Sequence, residues 1–271
     1  MKTSLGLWLV VVASAGCAAK KADGTIGQAD SQSAGNALAT EIEDGAAGFG
    51  PVASQGAAAP SCVTLSGDTA DTDGDSIPAS ATLTFNCTAT QGGYTGMVTG
   101  TEMVTDPKPN TVEWAFTATA NLHLSLTGPA GASITNDRTG TIVGAQAGTT
   151  FSLARTLDST TTLKATPNGT GVSIDENNAW TITYAPTLAW VPGAVVVGGT
   201  VTAAGSWSVT IGNNAADATL ATTTPLTFSP TCATRVTGGA LTATYEGGGH
   251  MNTLTVAWTG CGARTVTYVA K

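Results

Sequence analysis

Charge is scarce in this chain. Only 10% of its 271 residues are charged, with 10 Lys and Arg against 18 Asp and Glu, for a formal net charge of −8. Lys20 and Lys21 are neighbours, but no basic cluster exists, which argues against nucleic acid as a partner because its recognition needs a basic footprint. The two histidines, His123 and His250, lie far apart in sequence. Aromatic residues make up 6% and are scattered, whereas a membrane-spanning barrel carries aromatic girdles at both interfaces. No C-x-x-C pair occurs, so cysteine-ligated metal is disfavoured. The apolar run Leu5–Ala13 is too short to cross a bilayer, which takes about 20 residues. Charge is low, yet a mean hydropathy of +0.15 and regular alternation exclude a wholly disordered chain.

The N-terminus has the layout of a secretory signal: Lys2, the apolar run, then small residues. Its end, Ser14-Ala15-Gly16-Cys17, resembles the bacterial lipobox, although Ser14 stands where Leu is usual. That resemblance implies lipidation of Cys17 as the first mature residue. Ala18, in place of Asp, implies sorting to the outer membrane. The competing reading is cleavage after Ala13-Ser14-Ala15 and release of a soluble protein. Cysteine arithmetic favours lipidation, since removing Cys17 from the five leaves an even four for an oxidising compartment. Two or more acyl chains would anchor the protein stably. The expected organisation is a signal peptide at 1–16, a lipidated flexible tether at 17–60 and a β domain at 61–271. The tether is rich in Ala, Gly, Ser, Gln and Asp, with an r.m.s. reach of about 35 Å. A short helix around Ala37 to Glu43 is compatible with it.

From Ser61 onward the hydrophobic period is two. Val112, Trp114, Phe116, Ala118, Ala120, Leu122, Leu124 and Leu126 share one face, and polar residues such as Thr117, Asn121 and His123 the other. Unbroken, such a strand would run for some 50 Å, so a bend or bulge is expected. Trp180-Ile182-Tyr184, Val201 to Ile211, Leu254-Val256-Trp258 and Val266-Tyr268 repeat the pattern, and Thr fills many outward positions. Turns are predicted at Gly92-Gly93, Asp106-Pro107, Pro167-Asn168-Gly169, Glu176-Asn177-Asn178, Gly212-Asn213-Asn214 and Gly247-Gly248-Gly249. The fold class is therefore all-β: an antiparallel meander of roughly ten to thirteen strands, closed on its apolar face as a sandwich or a curled, barrel-like sheet. Trp114, Trp180, Trp207 and Trp258 are in phase with apolar neighbours, which favours core over a sugar-stacking platform. The run Leu188 to Val197, with Trp190, ignores alternation and reads as buried strand or as an exposed contact loop.

Four cysteines allow three pairings. Cys62–Cys87 and Cys232–Cys261 are expected, because each pair brackets a hairpin. Direct opposition of Cys62 and Cys87 would put Val63 and Leu65 on the opposite face from Leu83 and Phe85, so a bulge or a change of sheet is needed there. Between the first two cysteines lies Asp71-Thr72-Asp73-Gly74-Asp75-Ser76-Ile77-Pro78. Carboxylates at alternate positions, with Gly for a tight turn, suit a hard cation bound through oxygen. The string resembles the calcium-binding repeats of thrombospondin type 3 and related bacterial surface proteins, in one copy, with Ser76 where Gly is usual and Ala79 where Asp is usual. The resemblance implies Ca2+ held by Asp71, Asp73 and Asp75, with Asp68 as a neighbour. An EF-hand is excluded, since its sixth and twelfth loop positions would be Ser76 and Thr82. The alternative is a solvated acidic turn.

No local motif supports catalysis: Glu246 and His250 flank three glycines at a hairpin tip, and Asp175-Glu176 lies beside asparagines. The expectation is an outer-membrane-anchored lipoprotein presenting a disulfide-braced β domain as a structural, adhesive or binding module. Its partners would be the membrane, through the anchor, and a protein or glycan the sequence does not identify. A carbohydrate-active enzyme on a β-sandwich is the alternative.

Overall fold

The structure is a computed structural model that describes residues 36, 39, 61–75, 77–166, 169–187, 198–211, 214–229, 231–232, 236–247 and 250–270. The signal segment, Cys17, nearly all of the tether and the run Leu188 to Val197 lie outside the described residues.

Twelve antiparallel strands form one meander sheet in which sequence order is spatial order. They are β1 (Val63–Ser66), β2 (Ser80–Gln91), β3 (Tyr94–Thr105), β4 (Ala115–Thr127), β5 (Ser133–Ala147), β6 (Thr150–Lys164), β7 (Val172–Pro186), β8 (Gly199–Ile211), β9 (Asn214–Phe228), β10 (Val236–Gly247), β11 (His250–Trp258) and β12 (Arg264–Val269). Short connections make this order natural, since neighbouring antiparallel strands need only a tight turn. The β2–β3 turn shows how. Gln91 pairs with Tyr94, leaving only Gly92 and Gly93, both at positive φ (59° and 81°), which a two-residue turn matching strand twist requires.

By contacts the chain divides into two compact units. The first comprises residues 51–181 and 207–215. Its core gathers Phe85, Trp114, Phe116, Leu122, Phe151, Leu153 and Leu157, all buried. The Trp114 ring meets Phe116 and Phe151 edge-on at 5.2 and 5.8 Å, the arrangement ring quadrupoles favour.

The second unit comprises the described residues within 1–50, 182–206 and 216–271. Ile182, Tyr184, Val201, Leu226, Val236, Leu241, Val256 and Trp258 are buried there, in the alternating phase of their strands. The Tyr184 hydroxyl donates to the Gly198 carbonyl at 2.7 Å, so a buried polar tip is satisfied. Pro225 cannot donate to a ladder, and the β9–β10 register shifts around it. Gly239, at φ 106°, faces the Pro225 carbonyl, where a side chain would collide. Within the expected tether, Ala39 is fully buried and Asn36 accepts a hydrogen bond from Arg264 Nε at 3.1 Å. This part of it is held, not free.

Three local expectations change. The strand expected from Val112 begins at Ala115; Val112 is 75% exposed in the preceding loop, whereas Trp114 is 1% exposed. Apolar spacing alone did not separate the loop from the strand. The β4 register runs unbroken against both β3 and β5, so the expected bend leaves no bulge there. Glu176-Asn177-Asn178 is not a turn. It lies inside β7, with Glu176 and Asn178 turned inward and buried. Turn composition lost there to tertiary pairing, since Trp207 Nε1 donates to Glu176 Oε1 at 2.9 Å.

Both expected disulfides are formed, Cys62–Cys87 and Cys232–Cys261. The facing conflict in the first pair needs neither bulge nor second sheet. Val63 pairs with Phe85 and Leu65 with Leu83, which keeps these side chains on one face. Cys62 lies in the turn before β1, and Asn86 N–H donates to its carbonyl at 2.9 Å, so the bond to Cys87 runs one residue off the direct pair.

Candidate metal centre

The acidic loop spans the gap between β1 and β2. Its base is closed by Ser80 N–H donating to the Asp68 carbonyl at 2.8 Å and Ala79 N–H to the Ala70 carbonyl at 3.0 Å. Ile77, 1% exposed, plugs its end into the core. Within this frame the carboxylates are oriented by backbone donors. Gly74 N–H donates to Asp71 Oδ1 at 2.8 Å, and Ile77 N–H to Asp75 Oδ1 at 2.7 Å. Asp73 Oδ2 accepts from Thr111 N–H at 3.0 Å. The Asp71 and Asp75 bonds stay within the loop, whereas the Asp73 bond reaches across to the β3–β4 connection.

Asp71, Asp73 and Asp75 each offer an oxygen within 4.8 Å of the others. Calcium–oxygen distances of about 2.3–2.6 Å make its shell roughly 4.6–5.2 Å across, so one ion reaches all three. Asp71 is exposed, Asp73 half-buried and Asp75 only 4% exposed. Asp75 Oδ2 is buried and has no hydrogen-bond partner among the described residues. Burial first, then the charges of Asp73, Asp106 and Asp71, pushes the Asp75 carboxyl from 3.8 up to about 6, against the lowering effect of the Ile77 N–H. A buried carboxylate with an idle oxygen beside three like charges is costly, and a divalent cation relieves that cost.

The sequence reading missed Asp106. It directly follows β3, in a dipeptide legible only as a turn, Asp106-Pro107. The fold brings it beside the acidic loop: Asp106 N–H donates to the Ala79 carbonyl at 3.3 Å. Asp106 is 6% exposed; Oδ1 accepts from Lys108 N–H at 2.6 Å, while Oδ2 is buried and without a partner among the described residues. Asp68 stays at the periphery, its Oδ1 accepting from Ala70 N–H at 3.2 Å.

The residues weighed for catalysis fall at two places in the sheet, β7 and the β10–β11 connection. Asp175 and Glu176 point to opposite faces of β7; Asp175 accepts from Thr160 Oγ1 at 2.7 Å on the exposed side. Glu246 and His250 flank the β10–β11 connection, as expected of a hairpin tip. Of the four tryptophans weighed as a stacking platform, Trp114 and Trp258 are core, whereas Trp180 lies under the Arg155 guanidinium at 5.3 Å and Trp207 serves Glu176. No family model matches the chain, and no curated protein or solved structure is significantly similar to it.

Proposed function

We propose that this chain is a lipoprotein anchored to the outer membrane through Cys17, presenting a disulfide-braced β domain as a structural, adhesive or binding module stiffened by one calcium ion. The anchor rests on the lipobox-like end and on the cysteine count, since Cys62, Cys87, Cys232 and Cys261 pair among themselves and leave Cys17 outside both disulfides. The observation that carries the cation reading is Asp75: a buried carboxylate whose Oδ2 has no partner, set among the Asp71 and Asp73 oxygens. Those three residues would hold the ion, and the chemistry it supplies is charge neutralisation of an acidic loop. Extracellular modules bind calcium at roughly 10⁻⁴ to 10⁻³ M, and a site with one exposed and one half-buried carboxylate belongs in that range. Its partner is a protein or glycan at the cell envelope.

Metabolic labelling with a fatty-acid analogue tests the anchor. Wild type takes up label and fractionates with membranes; Cys17→Ala does neither. Label persisting in Cys17→Ala, or absent from wild type, defeats the anchor reading. Equilibrium dialysis of the full chain against calcium tests the ion, with about one bound per chain expected and none in Asp73→Ala.

A further inference from the structure

The geometry points to Asp106 as a fourth carboxylate of the cation site, accepting a hydrogen bond from a water on the ion and so clamping the β3–β4 connection onto the β1–β2 loop. This rests on the calcium reading of Asp71, Asp73 and Asp75. Asp106 lies 31 positions beyond Asp75; its turn uses Oδ1, which accepts from Lys108 N–H, and leaves Oδ2 without a role. It is 6% exposed, and Oδ2 finds no donor among the described residues. The nearest lysine does not neutralise it, because Lys108 Nζ is bound to Glu113 Oε1 at 2.6 Å.

The two connections already touch. Thr72 Oγ1 donates to the Pro109 carbonyl at 2.7 Å, Thr111 N–H to Asp73 Oδ2 at 3.0 Å, and Asp106 N–H to the Ala79 carbonyl at 3.3 Å. Asp106 stands outside the group of three whose oxygens share one 4.8 Å neighbourhood, so a direct bond to the ion is not its role. Calcium keeps waters in its shell, and an acceptor that orients such a water adds affinity without touching the metal. Two buried, idle carboxylate oxygens from different connections, Asp75 Oδ2 and Asp106 Oδ2, are what an ion with its water accounts for.

The role has a sign that a merely structural residue lacks. Without metal, the Asp106 charge repels its neighbours; with metal, it attracts the ion. Asp106→Asn keeps an oxygen for Lys108 N–H and removes only the charge. Calcium is titrated calorimetrically into the EDTA-stripped full chain. The expected result is a Kd weakened about tenfold or more in Asp106→Asn, with a metal-free melting temperature equal to or above wild type. A Kd within twofold of wild type, with binding lost in Asp73→Ala, overturns the role of Asp106 and leaves the calcium reading standing. No binding by wild type overturns both. Should Asp106→Asn fail to fold, hydrogen exchange on wild type decides. Calcium slows exchange of the amides at 106–114 along with those at 68–77; slowing confined to 68–77 refutes the clamp.

Discussion

Breaking Cys62–Cys87 has a consequence whose size follows from the loop it closes. The bond joins residues 25 apart, and that segment contains all of β1 and the acidic loop. In the chain-entropy account, freeing a loop of 25 residues relaxes the unfolded chain by about 12 cal/mol/K, or about 3.5 kcal/mol at 25 °C. For a chain of this size 1 kcal/mol moves the melting temperature by about 2–4 °C, so Cys62→Ser/Cys87→Ser melts about 7–14 °C lower. β1 has only four residues and its described partner is β2, so little else replaces the bond. The assay is far-UV circular dichroism on heating, in EDTA and then in calcium. Losing β1 also loosens the frame that converges Asp71, Asp73 and Asp75, so the calcium-induced rise shrinks as well. A fall of less than about 2 °C refutes the reasoning, because the loop would then be closed equally well without the disulfide.

Three further outcomes are expected. In EDTA, Asp75 makes stability fall with pH: its folded carboxyl titrates at about 6 against 3.8, so the folded state holds the proton more tightly, and its contribution is present below about 4 and lost as pH rises through 6. Urea melts across pH 4 to 8 show that decline, and Asp75→Asn removes it. Trp114→Ala costs about 3–5 kcal/mol in denaturant unfolding, since a ring 1% exposed and packed on Phe116 and Phe151 leaves a cavity. Tyr184→Phe costs about 1–3 kcal/mol in the same assay, because the Gly198 carbonyl loses its buried donor.

What was legible in the sequence was whatever local rules decide alone. The period of two gave the strands, because a half-buried sheet forces alternation residue by residue. Gly92-Gly93 gave its turn because few other residues adopt those angles. The disulfides followed from bracketing. The rest depends on partners distant in sequence. Glu176 and Asn178 read as turn formers until Trp207, 31 residues beyond Glu176, supplies a donor and β7 runs straight through them. Val112 kept the apolar phase of β4, yet its own strand starts three residues later, at Ala115. Asp71, Asp73 and Asp75 could be read together because they are near in sequence. Asp106 could not, since only the pairing of β2 with β3 brings the end of one beside the start of the other: Ser80 pairs with Thr105.

The most direct test of the account is the melting temperature of the full chain in EDTA and in about 10 mM calcium, for wild type and Asp73→Ala. With a Kd near 10⁻⁴ M, that concentration stabilises the folded state by about 2.7 kcal/mol. The wild-type midpoint therefore rises by about 5–11 °C, and the Asp73→Ala midpoint does not move with calcium. An unchanged wild-type midpoint, or an equal rise in both proteins, contradicts a cation held by this loop.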